Sequence, residues 1–530
     1  MTDTELCFTP ATALAALIRR RKVSPLEVTR AVLARIEKVN PPLNAYCTVA
    51  AEQALEAARR ATAALTRRAT LGPLHGVPVS IKDLTFTKGI RTTEGSKIFE
   101  HRVPDHDALV VERLKAAGAI VLGKTNTPEF GAGANTFNAV FGATRNPWNP
   151  ALTCGGSTGG GGVALATGMG QLAQGSDLGG SLRIPAAFCG VVGFRTSPGL
   201  VPVWPAGLAW EPWSVQGPMA RTVADTALML AAIAGPDPRA PLSYAVDSRA
   251  FTGAVRAPTL KSRRVAWGGD LGVTPVDHEV LAICHGAMGV FRALGCRVAD
   301  AHPDLSDARE VALVSRGASV AARYADKLPT WRGVMQENLV KNIEYGLTLT
   351  ASDLGRVERR RTELWARVRE FFTRYDFIVT PTTAVPPFPV ETIYPTEING
   401  KPMTHYIEWA LLTYCFTVVG LPAISIPCGF TKAGLPVGLQ IVGRWRARTR
   451  STKPAGARGR STARKRATVF LSSPSSRRQS THDATWASSA LRSSGPSASR
   501  TRSASPGPLS SPTSTRAPAN SVKPSPPRNR

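Results

Sequence analysis

The sequence predicts an α/β fold: a single large domain with a mixed, mostly parallel central sheet covered by helices on both faces, followed by a disordered basic tail. Three observations lead there. Strand-like and helix-like periodicities alternate along residues 1–443. The chain has 530 residues and is 43% hydrophobic, enough for one large core. The charge balance then breaks after Gly443, which sets the expected boundary between a 1–443 domain and a 444–530 tail.

The first elements are helices. Ser24-Pro25-Leu26-Glu27 is a capping box with Pro at the first helical position, so a helix should run to about Val39. Leu26, Val28, Val32, Leu33 and Ile36 give it an apolar stripe. A second helix is expected from Ala51 to about Leu65. Gly76 to Lys82 then changes to period two: Val77, Val79 and Ile81 share one face, Pro78, Ser80 and Lys82 the other. A helix from Asp107 to Ala117 stops at Gly118, and Ala119 to Gly123 reads as a buried strand. Arg264–Trp267, a helix capped by Asp277 and running to Leu294, and Arg297-Val298 form a βαβ pattern. Phe377–Thr380 is a further strand. Ala423–Phe430 and Leu435–Val442 flank Thr431-Lys432-Ala433-Gly434 as a hairpin.

The net charge of +28 is unevenly distributed. Residues 444–530 hold 19 Lys and Arg against one acid, Asp483, whereas the first 443 residues carry only +10. The tail is rich in Arg, Ser, Pro and Ala, lacks Glu and shows no apolar period, so it is expected to be disordered. Two readings of it stand: an Arg/Ser nucleic-acid-binding tail, and the product of a reading frame lost near Arg446. The second is preferred, because out-of-frame GC-rich text yields this composition.

Other classes are disfavoured. No apolar run is long enough to cross a bilayer. Met1 to Leu17 carries two acids and no base, the reverse of a secretory leader. Eight scattered cysteines, without a C-x-x-C pair, read as reduced thiols of a cytoplasmic protein. No metal or cofactor is expected.

Two serine segments carry chemistry. Cys154-Gly155-Gly156-Ser157-Thr158-Gly159-Gly160-Gly161-Gly162 runs into an apolar helix start. Gly175-Ser176-Asp177-Leu178-Gly179-Gly180-Ser181 precedes Leu182-Arg183-Ile184-Pro185. In the second, consecutive N–H groups of Leu178, Gly179, Gly180 and Ser181 suit an oxyanion hole, with Ser181 as the attacking group. Such donors are worth roughly 3–4 kcal/mol each. A serine needs a base, yet none of the eight histidines sits in a recognisable triad motif. Gly155-x-Ser157-x-Gly159 formally matches a nucleophile elbow, but Asn146-Pro147-Trp148-Asn149-Pro150 is a poor strand to precede one. No lysine follows to make a phosphate-binding loop. Cys154 and Cys189 lack an evident base.

Gly76-Val77-Pro78-Val79-Ser80-Ile81-Lys82-Asp83, then the Ser157 and Ser181 segments at spacings of 75 and 24 residues, resemble the amidase signature family. Gly123-Lys124-Thr125-Asn126-Thr127-Pro128-Glu129-Phe130 and Gly420-Leu421-Pro422-Ala423 also fit, so the resemblance spans about Leu6 to Gly443. It implies that fold and a Ser-cisSer-Lys triad. Ser181 attacks a carboxamide carbonyl, Ser157, cis to Gly156, relays the proton, and neutral Lys82 is the base. It assigns support to Thr158, Ser176, Asp177 and Arg183. Thr158 stands where the family often has Ser, Phe194-Arg195-Thr196 replaces a common Leu-Lys-Pro, and the family's helix after the last strand is missing. The implied product is a carboxylate plus ammonia or amine, from a small-molecule amide. Neither a membrane nor nucleic acid is expected as partner; a homodimer is compatible. The alternative is the glutaminase component of a glutamyl-tRNA amidotransferase, its A chain, which carries an Asp where Ala410 stands here. Trp204, Trp210 and Trp213 either line an acyl pocket or pack under a loop.

Overall fold

The computed structural model describes residues 1–67, 70–256 and 260–446. The expected tail therefore lies, from residue 447 on, outside the described residues. Eleven strands form one sheet: β1 (Tyr46–Val49), β2 (Pro78–Lys82), β3 (Ile120–Thr125), β4 (Leu172–Asp177), β5 (Val192–Arg195), β6 (Val215–Ala220), β7 (Arg264–Trp267), β8 (Arg297–Asp300), β9 (Phe377–Pro381), β10 (Ala423–Phe430) and β11 (Pro436–Gly443). Their order is β1-β3-β2-β4-β6-β5-β10-β11-β9-β7-β8.

The sheet is mixed, as expected, but its parallel share is smaller than the sequence reading proposed. Parallel pairing is confined to β3-β2-β4 and β9-β7-β8. The other six neighbour pairs are antiparallel. The physical reason lies in the middle: β4, β6, β5 and the β10–β11 hairpin pair antiparallel, and β4 to β6 had no strand signal.

Several local expectations are met. Ser24 caps the Pro25–Val39 helix with the full reciprocal box. Helices Ala51–Thr66 and Leu109–Ala116 follow. The second begins later than expected, because Asp107 instead accepts from the Lys88 N–H and pairs with Lys115. The helix expected from Asp277 to Leu294 is two, His278–Gly286 and Met288–Ala293. Gly286 and Gly289 flank the break and weaken helix continuity there. The β10–β11 hairpin turns at Thr431, whose N–H bonds to Leu435 O.

All five residues of β2 are buried. Val79 and Ile81 pack with Ala11, Ala15, Leu114 and Leu230 on one face of the sheet. By the two-residue alternation, Lys82 projects from the opposite face. There the Gly159–Ala166 helix lies so close that a Cβ on Gly160 would stand 2.4 Å from Ala45 O. Strands β2 and β4 are parallel neighbours, so Lys82 and Asp177, their last residues, end at the same sheet edge. That edge, the carboxyl end of parallel strands, is where α/β sheets place ligands. Among the described residues no helix is long and apolar enough to cross a membrane.

Candidate active site

Lys82 ends β2 fully buried, and its neighbours there are hydroxyls. Nζ lies 2.7 Å from Ser157 Oγ, 3.1 Å from Thr158 Oγ1 and 3.2 Å from Ser176 Oγ. Among the described residues no carboxylate lies within ion-pair distance of it. Burial lowers its pKa from 10.5 to about 7, against the opposing pull of Asp177. A neutral amine has two N–H donors and one lone pair, so three hydroxyls satisfy it. It can donate to Thr158 and Ser176 and accept from Ser157.

The Gly156–Ser157 peptide is cis, as the resemblance implies. Ser157 is 2% exposed and precedes the Gly159–Ala166 helix. No strand runs into it, so the nucleophile-elbow alternative lacks its required context. Thr158 N–H donates to Ser181 O at 3.1 Å, joining the two serine segments. Ser157, Ser176 and Ser181 line one cavity of about 90 Å³ together with Leu178 and Gly179.

Asp177 organises the turn carrying Ser181. Its carboxylate accepts from Gly180 N–H at 2.9 Å and Leu182 N–H at 3.1 Å. It also accepts from Arg183 Nε at 3.0 Å and Arg195 Nη1 at 3.2 Å. Burial alone would raise this carboxyl; Arg183, Arg195 and Leu182 N–H outweigh it and hold the pKa well below the usual range. Arg183 reaches onward to Thr413 O, Thr417 Oγ1 and Gln440 Oε1, clamping the turn to the Leu411–Thr417 helix and β11. Arg195, in the family's lysine position, completes the pair of cations around Asp177.

Gly180 departs from the sequence reading, because its N–H already serves Asp177. Among the described residues, the N–H groups of Leu178, Gly179 and Ser181 have no acceptor within the protein. Both glycines are sterically required: a Cβ on Gly179 would meet Tyr414 Cζ at 2.2 Å, and Gly180 sits at φ +124°.

The alternatives raised by the sequence resolve unevenly. Among the described residues no histidine lines the serine cavity. Cys154 and Cys189 are buried, and burial pushes the Cys154 thiol up to about 12. Trp204 lines a neighbouring cavity of about 690 Å³. Trp210 is 75% exposed, and Trp213 packs on the core beneath Arg361. Ala410 lines the serine cavity, so the position compared with the amidotransferase Asp does face it. Among the described residues no three His, Cys, Asp or Glu side chains are grouped to hold a metal ion.

The sequence reading missed the wall opposite the serines. Arg316, Ser319, Arg323 and Tyr324 come from the Ala308–Tyr324 helix, and Tyr406 and Tyr414 from the segment before β10. A signal was present: Arg316 falls between Ala312 and Val320 at helical spacing, in a stripe that is otherwise buried and small or apolar.

The sequence profile of the Amidase family matches residues 27–447. An acylamidase of Rhodococcus erythropolis is 39% identical over 84% of this chain and 94% of its own length. The A chain of the glutamyl-tRNA(Gln) amidotransferase of Moorella thermoacetica is 37% identical over 83% of this chain and 94% of its own. A solved bacterial aryl acylamidase superposes with TM-score 0.76 at 30% identity, over 83% of this chain and 93% of its own.

Proposed function

This chain belongs to the amidase signature family and hydrolyses amide C–N bonds, and on that premise we propose that Ser181, Ser157 and Lys82 carry the reaction. Neutral Lys82 draws the proton of Ser157, which takes that of Ser181. Ser181 Oγ attacks the amide carbonyl. The N–H groups of Leu178, Gly179 and Ser181 receive the oxyanion, while Gly180 holds the turn on Asp177. The relay returns the proton to the leaving nitrogen, and water then hydrolyses the acyl-serine. Thr158 and Ser176 keep the amine aligned, and Asp177 and Arg183 keep the turn in place.

The observation that carries this reading is the buried Lys82 amine, 2.7 Å from Ser157 Oγ, with a pKa near neutrality. A general base works best with a pKa close to the operating pH. The substrates proposed are small carboxamides. Free cysteines suit a reducing, cytoplasmic setting, and a homodimer remains compatible with the reading. The test is labelling with a fluorophosphonate probe followed by peptide mapping. The adduct is expected on Ser181; an adduct on Ser157 would move the nucleophile. The glutaminase reading is kept by the amidotransferase relative and weakened by Ala410, which offers no carboxylate for a substrate ammonium. Ammonia release from glutamine, measured beside release from a simple amide, separates the two.

A further inference from the structure

The wall opposite the serines carries a charge with no acid beside it. Arg316 is 8% exposed and lines the serine cavity. Among the described residues no carboxylate stands within ion-pair distance of it. Its guanidinium carbon lies 5.2 Å from the Tyr406 ring centroid, and its Nε has no hydrogen-bond partner. Tyr406 Oη is likewise buried and makes no hydrogen bond of good geometry, although the side chains of Arg316 and Tyr414 stand beside it. Glu211 lines an adjoining crevice with Arg316, but its two oxygens are occupied by Ser319 and Arg323. Among the described residues lining the serine cavity, only Arg316 and Arg323 are charged, and Arg323 is the one paired with Glu211. Among those residues the wall therefore presents one cation without a carboxylate partner, three tyrosines and no acid.

A buried guanidinium without a counter-charge is costly, and the neutral tyrosines beside it, Tyr406 and Tyr414, compensate only part of that cost. A ligand that brings an anion relieves it. The planar fork of arginine suits a carboxylate, which can accept two parallel N–H bonds. A phenol donates a further bond to the same group.

We propose that Arg316, with Tyr406 and Tyr414, forms an anion-binding subsite in the wall of the catalytic cavity, selecting amides that carry a carboxylate a few bonds from the scissile carbonyl. The assignment rests on the reading of Ser181 as nucleophile only for the orientation of the substrate. The same wall rejects an ammonium-bearing substrate twice over, by the cation at Arg316 and by the missing acid at Ala410.

The experiment compares succinamate with butanamide, which differ chiefly in the carboxylate. Calorimetric binding to Ser181→Ala protein should favour succinamate by roughly 10- to 100-fold, the range of a charge-assisted hydrogen bond. Adding Arg316→Gln should abolish that preference, and Arg316→Lys should retain part of it. Equal affinities in the Ser181→Ala protein overturn the subsite, a result that does not depend on whether the Gln variant folds. Turnover by the unaltered enzyme is the second arm. Hydrolysis of both amides with no preference for succinamate overturns the subsite and leaves the hydrolase reading intact. Preferred binding of succinamate with neither amide hydrolysed supports the subsite and counts against the proposed catalytic roles.

Discussion

Two lysines on adjacent parallel strands are fully buried, and the fold uses them in opposite ways. Lys82, at the end of β2, faces three hydroxyls. Lys124, on β3, donates to Thr87 Oγ1 at 2.9 Å and to the carbonyl of Thr85. Burial lowers both, Lys82 to about 7 and Lys124 to about 8, and in Lys124 the charge of nearby Asp83 opposes the fall. A carbonyl only accepts, so toward Thr85 the Lys124 amine is a donor in either protonation state, and it is the charge of Asp83 that favours its protonated form. A hydroxyl accepts and donates, so Lys82 can lose a proton with every bond still made. Burial alone does not make a base; the partners decide whether the neutral form is tolerated.

The sharpest break in this comparison comes from removing the reaction's end point. Ser181→Ala should lower kcat on the order of 10⁴-fold or more while the fold survives, checked by turnover beside circular dichroism. Substantial residual activity would detach Lys82 from any relay. Lys82→Met should cost on the order of 10²- to 10⁴-fold in kcat/KM without loss of stability, since a buried amine is replaced by an apolar chain. Lys124→Met should do the reverse and destabilise the protein by about 1–3 kcal/mol in urea unfolding, because it removes the amine's bonds to Thr85 O and Thr87 Oγ1 and the cation near buried Asp83. If the two lysine variants behaved alike, the distinction would fail.

What could be read from the sequence follows the same division. Lys82, Ser157 and Ser181 each sit in a local motif whose glycines and period are visible along the chain, and the structure brings Lys82 and Ser157 into contact. Strand β4 was invisible because Gln174, Gly175, Ser176 and Asp177 are polar or small; they are so because that strand's end builds the site. The engagement of Gly180 N–H by Asp177 could not be read either, since it depends on how the turn folds back. The antiparallel share of the sheet is set by strand partners far apart in sequence, for which local periodicity carries no signal. Arg316 was legible only as a charge inside a helical stripe, a feature that gains meaning once the opposite wall is known.

Smaller effects refine the contrast. Lys82 binds its proton less tightly folded, with pKa about 7, than unfolded, with 10.5. Between these values the unfolded chain holds more protons, so this residue's contribution to stability rises from pH 7 to 10.5 and is flat below 7, where both states hold the proton. Unfolding free energies across that window should show a slope that Lys82→Met lacks. In the same sense kcat/KM should climb through about pH 7 and level off above it. Thr158→Val, which removes one hydroxyl from the amine and keeps the shape, should cost about 0.5–1.5 kcal/mol in transition-state stabilisation, read from kcat/KM. No change would mean that Ser157 and Ser176 alone hold the amine.

The central claim is that an uncharged amine at position 82 is available near neutral pH. Carbon-13 NMR titration of protein labelled at lysine Cε tests it directly. The account predicts one lysine titrating near pH 7 whose signal vanishes in Lys82→Met, and a second near 8 that vanishes in Lys124→Met. If every lysine titrated near 10.4, or if the signal near 7 survived in Lys82→Met, the proposed base would be contradicted.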